Sequence, residues 1–78
     1  MEKVSVFKVY HSTLDLHTDE SDICVINMYP TKEKAVEWLE SFLEKTNKKC
    51  FCYSHTVWEV ERPEKNKKEF YSIIEFKE

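Results

Sequence analysis

The chain has 78 residues, a formal charge of −3 and no glycine. That length gives a single domain, residues 1–78, which buries only a little over about 60% of its unfolded surface. The missing glycines exclude the phosphate-binding loop, the dinucleotide fingerprint and the glycine-flanked nucleophile elbow, and the mild acidity argues against direct nucleic-acid binding, which needs a basic face.

Residues 3–10, KVSVFKVY, are β-branched and aromatic and read as a first strand. The start has no signal-peptide pattern, and no run reaches the roughly 18 apolar residues of a membrane span. Three cysteines cannot all pair within one chain. Without an export signal, reduced thiols and a cytoplasmic location are expected, in the host cytoplasm if the chain is phage-encoded. Residues 11–22, HSTLDLHTDESD, read as a polar loop. His11, Asp15, His17 and Asp19 in it match no defined calcium loop, so a solvated loop is expected.

Residues 23–29, ICVINMY, read as a second strand, apolar on both sides and therefore central. Pro30 stops it. Thr31 is placed to cap a helix, and Glu33 to sit at the positive end of its dipole. Ala35, Val36, Leu39, Phe42 and Leu43 give one apolar face of a 3.6-residue period, with Trp38 at its edge. Lys45, Lys48 and Lys49 suit the helix C-terminus, and Asn47 can take the left-handed cap. Glu33, Glu37, Glu40 and Glu44 fall in a stripe nearly opposite the apolar face. Two like-charge i,i+4 pairs in that stripe each cost a few tenths of a kcal/mol, offset in part by Lys34 and Lys48. The stripe is either a solvated face or an acidic ridge that meets a basic partner.

Residues 50–61, CFCYSHTVWEVE, read as a third strand, with a break near Ser54. Residues 62–68 are a polar connection whose Arg62, Lys65, Lys67 and Lys68 form a basic tip weakened by Glu61, Glu64 and Glu69. Residues 69–77, EFYSIIEFK, read as a fourth strand. The fold class is therefore α+β: a two-layer ββαββ arrangement with a four-stranded, antiparallel or mixed sheet and one helix on one face. One helix covers one side of such a sheet, so the other is open. Alternation assigns Cys24, Ile26, Trp58, Phe70, Ile74 and Phe76 to the helix side, and Ile23, Val25, Val57, Tyr71 and Ile73 to the open side. A contiguous apolar patch there marks an interface; the 11–22 loop folding back would cover it instead.

The ligand-type residues are sparse. Cys50, Cys52 and His55 cluster, but the spacing lacks the usual zinc pairs, and a fourth ligand would have to come from Cys24, His11 or His17. Cys24 or Cys50 with His55 and Glu59 makes a nucleophile constellation only on paper. No catalytic residue, metal site or cofactor is expected.

One layout carries a resemblance. A strand ending in Val9-Tyr10-His11, an acidic loop, a strand running into Tyr29-Pro30-Thr31-Lys32-Glu33-Lys34-Ala35, the helix, and a strand Val57-Trp58-Glu59-Val60-Glu61 follow one another. This resembles small uncharacterised ββαββ domains of bacteria and phages. The size and the lack of catalytic residues also resemble phage-encoded inhibitors of bacterial defence, such as anti-CRISPR proteins. The resemblance implies a non-catalytic protein-binding module that occludes a nucleic-acid-handling host enzyme, and it carries no site residues over. Expected contact residues are Glu33, Glu37, Glu40 and Glu44 on the helix and Ile23, Val25, Val57, Tyr71 and Ile73 on the sheet. The expected partner is a protein with a basic surface. The alternative is a homodimer holding a ligand or metal through Cys50, Cys52 and His55.

Overall fold

The computed structural model describes residues 5–77. Two long strands, β1 (Ser5–Asp15) and β2 (Glu20–Tyr29), precede the helix α1 (Lys32–Thr46); three more follow it, β3 (Cys50–Cys52), β4 (Val57–Val60) and β5 (Lys67–Lys77). All five strands form one antiparallel sheet in the order β2-β1-β5-β4-β3. The fold is α+β with one helix. It has five strands where sequence patterning predicts four, because the 50–61 stretch breaks after Cys52 and turns back, with His55 at a left-handed φ of 62°.

The 11–22 segment is not the expected loop. β1 runs on to Asp15 and β2 starts at Glu20, leaving a tight turn at 16–19. Asp15 builds that turn: its Oδ1 accepts from the backbone N–H of His17 at 2.9 Å and of Thr18 at 3.3 Å, and Asp19 takes a φ of 62°. An aspartate can close a turn that glycine would otherwise close. The hydrogen bonds from His17 and Thr18, with Lys67 and Asn66 nearby, hold the Asp15 carboxyl below its usual range. Asn66 Nδ2 also donates to Asp15 Oδ1 at 3.2 Å, pinning this turn to the β4–β5 connection. Residues 3–4 of the expected first strand lie outside the described residues.

The helix forms as its sequence dictates. Thr31 Oγ1 accepts from Lys34 N at 3.2 Å, and Asn47 adopts φ 58° with its N–H donating to Glu44 O at 3.2 Å. Ala35, Leu39 and Leu43 are buried against Val9, Trp58, Val60, Tyr71 and Ile73, and Val36, Trp38 and Phe42 flank them. Trp38 stacks on Phe42 with ring centroids 5.2 Å apart, and Phe42 meets the edge of Tyr71 at 5.7 Å. Rings in these geometries add to simple area burial.

The crossing through the helix decides the sheet order. It carries the chain from one edge, β2, to the other, β3, so β5 inserts between β1 and β4. The predicted central position of residues 23–29 is thus overturned: β2 is an edge strand, and its apolar residues on both sides lack a second neighbour. The expected strand faces are corrected as well. Tyr71 and Ile73 are 8% and 5% exposed and lie under the helix, whereas Ile74 and Phe76 are exposed and Phe70 is half-buried on the other side. The alternation of β5 was right in period and inverted in sign. Both of its faces are apolar, so only its register with Val9 and Trp58 decides which one meets the helix.

Candidate functional site: the open face of the sheet

Directly opposed residues in a sheet share a face, so the register maps the uncovered side row by row. One row runs Phe51, Glu59, Phe70, Ser12, Ile23 across all five strands. The next runs Val57, Ser72, Tyr10, Val25, and a third Ile74, Lys8, Met28. Val6 and Phe76 close the end. Six of these are large apolar residues left exposed: Ile23 (64%), Val25, Met28 (57%), Phe51, Ile74 (43%) and Phe76. Tyr10, Val57 and Phe70 lie half-buried among them. Ile23, Val25 and Val57 are therefore on the open side, and Tyr71 and Ile73 are not.

Charge is distributed the other way round from an ordinary solvated face. Among the described strand residues, Asp15, Glu20, Asp22, Lys67, Glu69, Glu75 and Lys77 lie on the helix side. Among the same described strand residues, the open side carries only Lys8, Glu59 and Lys68. Lys8 Nζ sits 4.5 Å from the Phe76 ring centroid, and Glu59 is held by Lys68 at 3.9 Å and by the Tyr53 hydroxyl, which donates to it. A cation over an aromatic face and a paired carboxylate leave little unopposed charge.

Ile26 departs from the expected helix-side position. The register passes from Val9↔Asn27 to Tyr10↔Val25, so Ile26 is the extra residue of a β-bulge, 37% exposed.

The acidic stripe has a setting that its helical spacing did not reveal. Glu33, Glu37, Glu40 and Glu44 are all exposed, and all four line a groove of about 810 Å³ between the helix and the β3–β4 hairpin. Val36, Cys52, His55 and Trp58 line the same groove.

Cys50 and Cys52 share the helix side, opposite Val60 and Trp58. Burial and nearby Glu69 push the Cys50 thiol up. His55 sits in the β3–β4 turn, and no group of three or more His, Cys, Asp or Glu is arranged to hold a metal ion among the described residues. The constellation of Cys24 or Cys50 with His55 and Glu59 does not assemble on one face: both cysteines are on the helix side and Glu59 is on the open side, and Cys24 lies at the opposite edge of the sheet from the β3–β4 turn that carries His55. His17 is exposed in the β1–β2 turn, and the first-loop set is scattered between that turn and the sheet.

One cluster was missed. His11 Nε2 donates to Glu69 Oε2 at 2.6 Å, and Arg62 Nη1 donates to Glu69 Oε1 at 3.5 Å. Arg62 Nε also donates to Glu64 at 3.2 Å, and the His11 ring lies 4.8 Å from Tyr71. Burial alone would raise the Glu69 carboxyl; hydrogen bonds and charge from His11 and Arg62 outweigh it and hold the carboxyl below its usual range. The Tyr71 phenol is pushed up by burial and by Glu69. The partners are 58 residues apart, so no local sequence signal joins them. Cys24 is opposite His11 in the ladder, and no side-chain hydrogen bond joins them among the described residues.

Comparison with known proteins yields no match among family models, curated proteins or solved structures. No helix among the described residues is long and apolar enough to cross a membrane.

Proposed function

We propose that this chain is a non-catalytic protein-binding module that docks through the open face of its sheet. The observation that carries the reading is the set of rows just described: six exposed large apolar side chains on one face, with charge displaced to the other. Contiguous apolar surface of this kind marks an interaction site, whereas single exposed residues carry no such meaning. The test is partner capture from the native host with the wild type and with Met28→Asp/Ile74→Asp. Both positions flank Lys8 in one row. Specific capture that the double substitution abolishes, with the fold intact by circular dichroism, supports the reading. Capture that is indifferent to the substitution overturns it.

A second reading rests on the acidic groove. An inhibitor that covers a basic surface of a nucleic-acid-handling enzyme would present Glu33, Glu37, Glu40 and Glu44 to it, with Val36 and Trp58 beside them. Glu37→Lys/Glu40→Lys then weakens capture and flattens its salt dependence; unchanged binding removes the groove from consideration.

A further inference from the structure

Taking the sheet face as the docking surface, we propose that its occupant is a second copy of this chain, packed face to face into a two-sheet sandwich with the helices on the outside.

Area is the first argument. Three strands of 10 or 11 residues and two short ones span, at about 4.8 Å per strand and 3.3 Å per residue, a projected area of about 600 Å². Side chains standing off the sheet bring the accessible area to the roughly 800 Å² per partner of a standard stable interface.

Charge is the second. The chain is acidic overall, so self-association is opposed unless the charges are kept apart. The exposed Glu33, Glu37, Glu40 and Glu44 lie on the helix, on the far side of the sheet from the apolar rows, and the exposed Glu20 and Glu75 share that side. With two sheets about 10 Å apart and the helices outside them, the acidic surfaces are separated by several Debye lengths of about 8 Å. The seam itself holds Lys8, Glu59 and Lys68, close to balanced, and an antiparallel two-fold can place Lys8 of one copy away from that of the other.

The edges make the third argument, because edge pairing is the rival route to a dimer. β2 is the long free edge, but it opens with Glu20 and Asp22 and is interrupted by the bulge at Ile26. β3, the other edge, is three residues long. Charge, bulges and shortness are the devices that discourage edge pairing. The edges carry that protection and the face does not.

The sandwich also completes a thin core. Among the described residues, the helix-side core has eight buried apolar residues. A second sheet would enclose Tyr10, Phe70, Ile74 and Phe76 in another layer, and Tyr10 and Phe76 already pack with centroids 6.3 Å apart.

Sedimentation velocity from micromolar to millimolar concentration tests this on the intact chain. The expected result is a concentration-dependent dimer whose dissociation constant rises about a hundredfold or more in Met28→Asp/Ile74→Asp. A dimer unaffected by those substitutions but broken by Cys24→Pro on the β2 edge overturns the face-to-face packing. A wild type that stays monomeric throughout overturns the second copy outright. In that event, binding of the dye ANS separates the two levels: fluorescence lost in the double variant leaves the face as a docking surface for another protein, and no dye binding removes that reading too.

Discussion

The two faces of this sheet are built from similar amounts of apolar side chain and have opposite fates. Under the helix, Val9, Trp58, Val60, Tyr71 and Ile73 are sealed by Ala35, Leu39 and Leu43. On the other side Ile23, Val25, Met28, Ile74 and Phe76 face outward with almost no charge among them. The difference teaches that hydrophobicity alone does not define the core of a small two-layer protein. The single covering element defines it, and whatever apolar surface remains is available for association.

Neighbouring residues of β5 give the sharpest way to break that contrast. Leu39→Ala, at a fully buried position, is expected to cost about 2–5 kcal/mol in urea unfolding. Ile73→Ala should cost nearly as much, whereas Ile74→Ala, one residue along, should cost under about 1 kcal/mol when measured at concentrations low enough to exclude association. Equal costs at 73 and 74 would erase the distinction between the faces.

Polar groups at the margin of the covered side come next. Glu69→Gln weakens the charge-assisted bonds from His11 and Arg62, with an expected loss of about 1–3 kcal/mol at neutral pH. The folded-state carboxyls of Glu69 and Asp15 are both depressed, so the stability they contribute is complete above their unfolded values and is lost as pH falls through the lower folded ones. Thermal unfolding should therefore drop below about pH 4.5, and less steeply in Glu69→Gln. Small effects also belong to the helix ends. Thr31→Ala should cost about 1 kcal/mol, and Asn47→Gly should be neutral or slightly stabilising because residue 47 is left-handed.

Local grammar made the helix legible from sequence down to its caps: Thr31, Asn47 and the Ala35–Leu39–Leu43 stripe all rest on interactions within a few residues. The 50–61 stretch is legible only as a strand interrupted near Ser54; its return as a separate strand is not. What could not be read depended on partners far along the chain. Residues 23–29 are apolar on both sides, which suits a buried centre, yet the helix crossing leaves them at the edge. In β5 the period was clear, but Glu69, Glu75 and Lys77 are charged residues on the side that faces the helix, where patterning expects apolar ones. The His11–Glu69 bond explains why Glu69 is tolerated there, and it joins strands at opposite ends of the sequence. The 11–22 stretch reads as a loop because its residues are polar, yet a hairpin held by its ladder and by the Asp15 turn needs no apolar face there.

Isotope-filtered NMR on a mixture of labelled and unlabelled chains tests most directly the claim that the uncovered side receives a second copy. Intermolecular NOEs at the methyl groups of Val25, Met28 and Ile74, with none at Leu39 or Ile73, are the predicted result. Intermolecular NOEs confined to the backbone of residues 20–29, or none at any concentration, would contradict it.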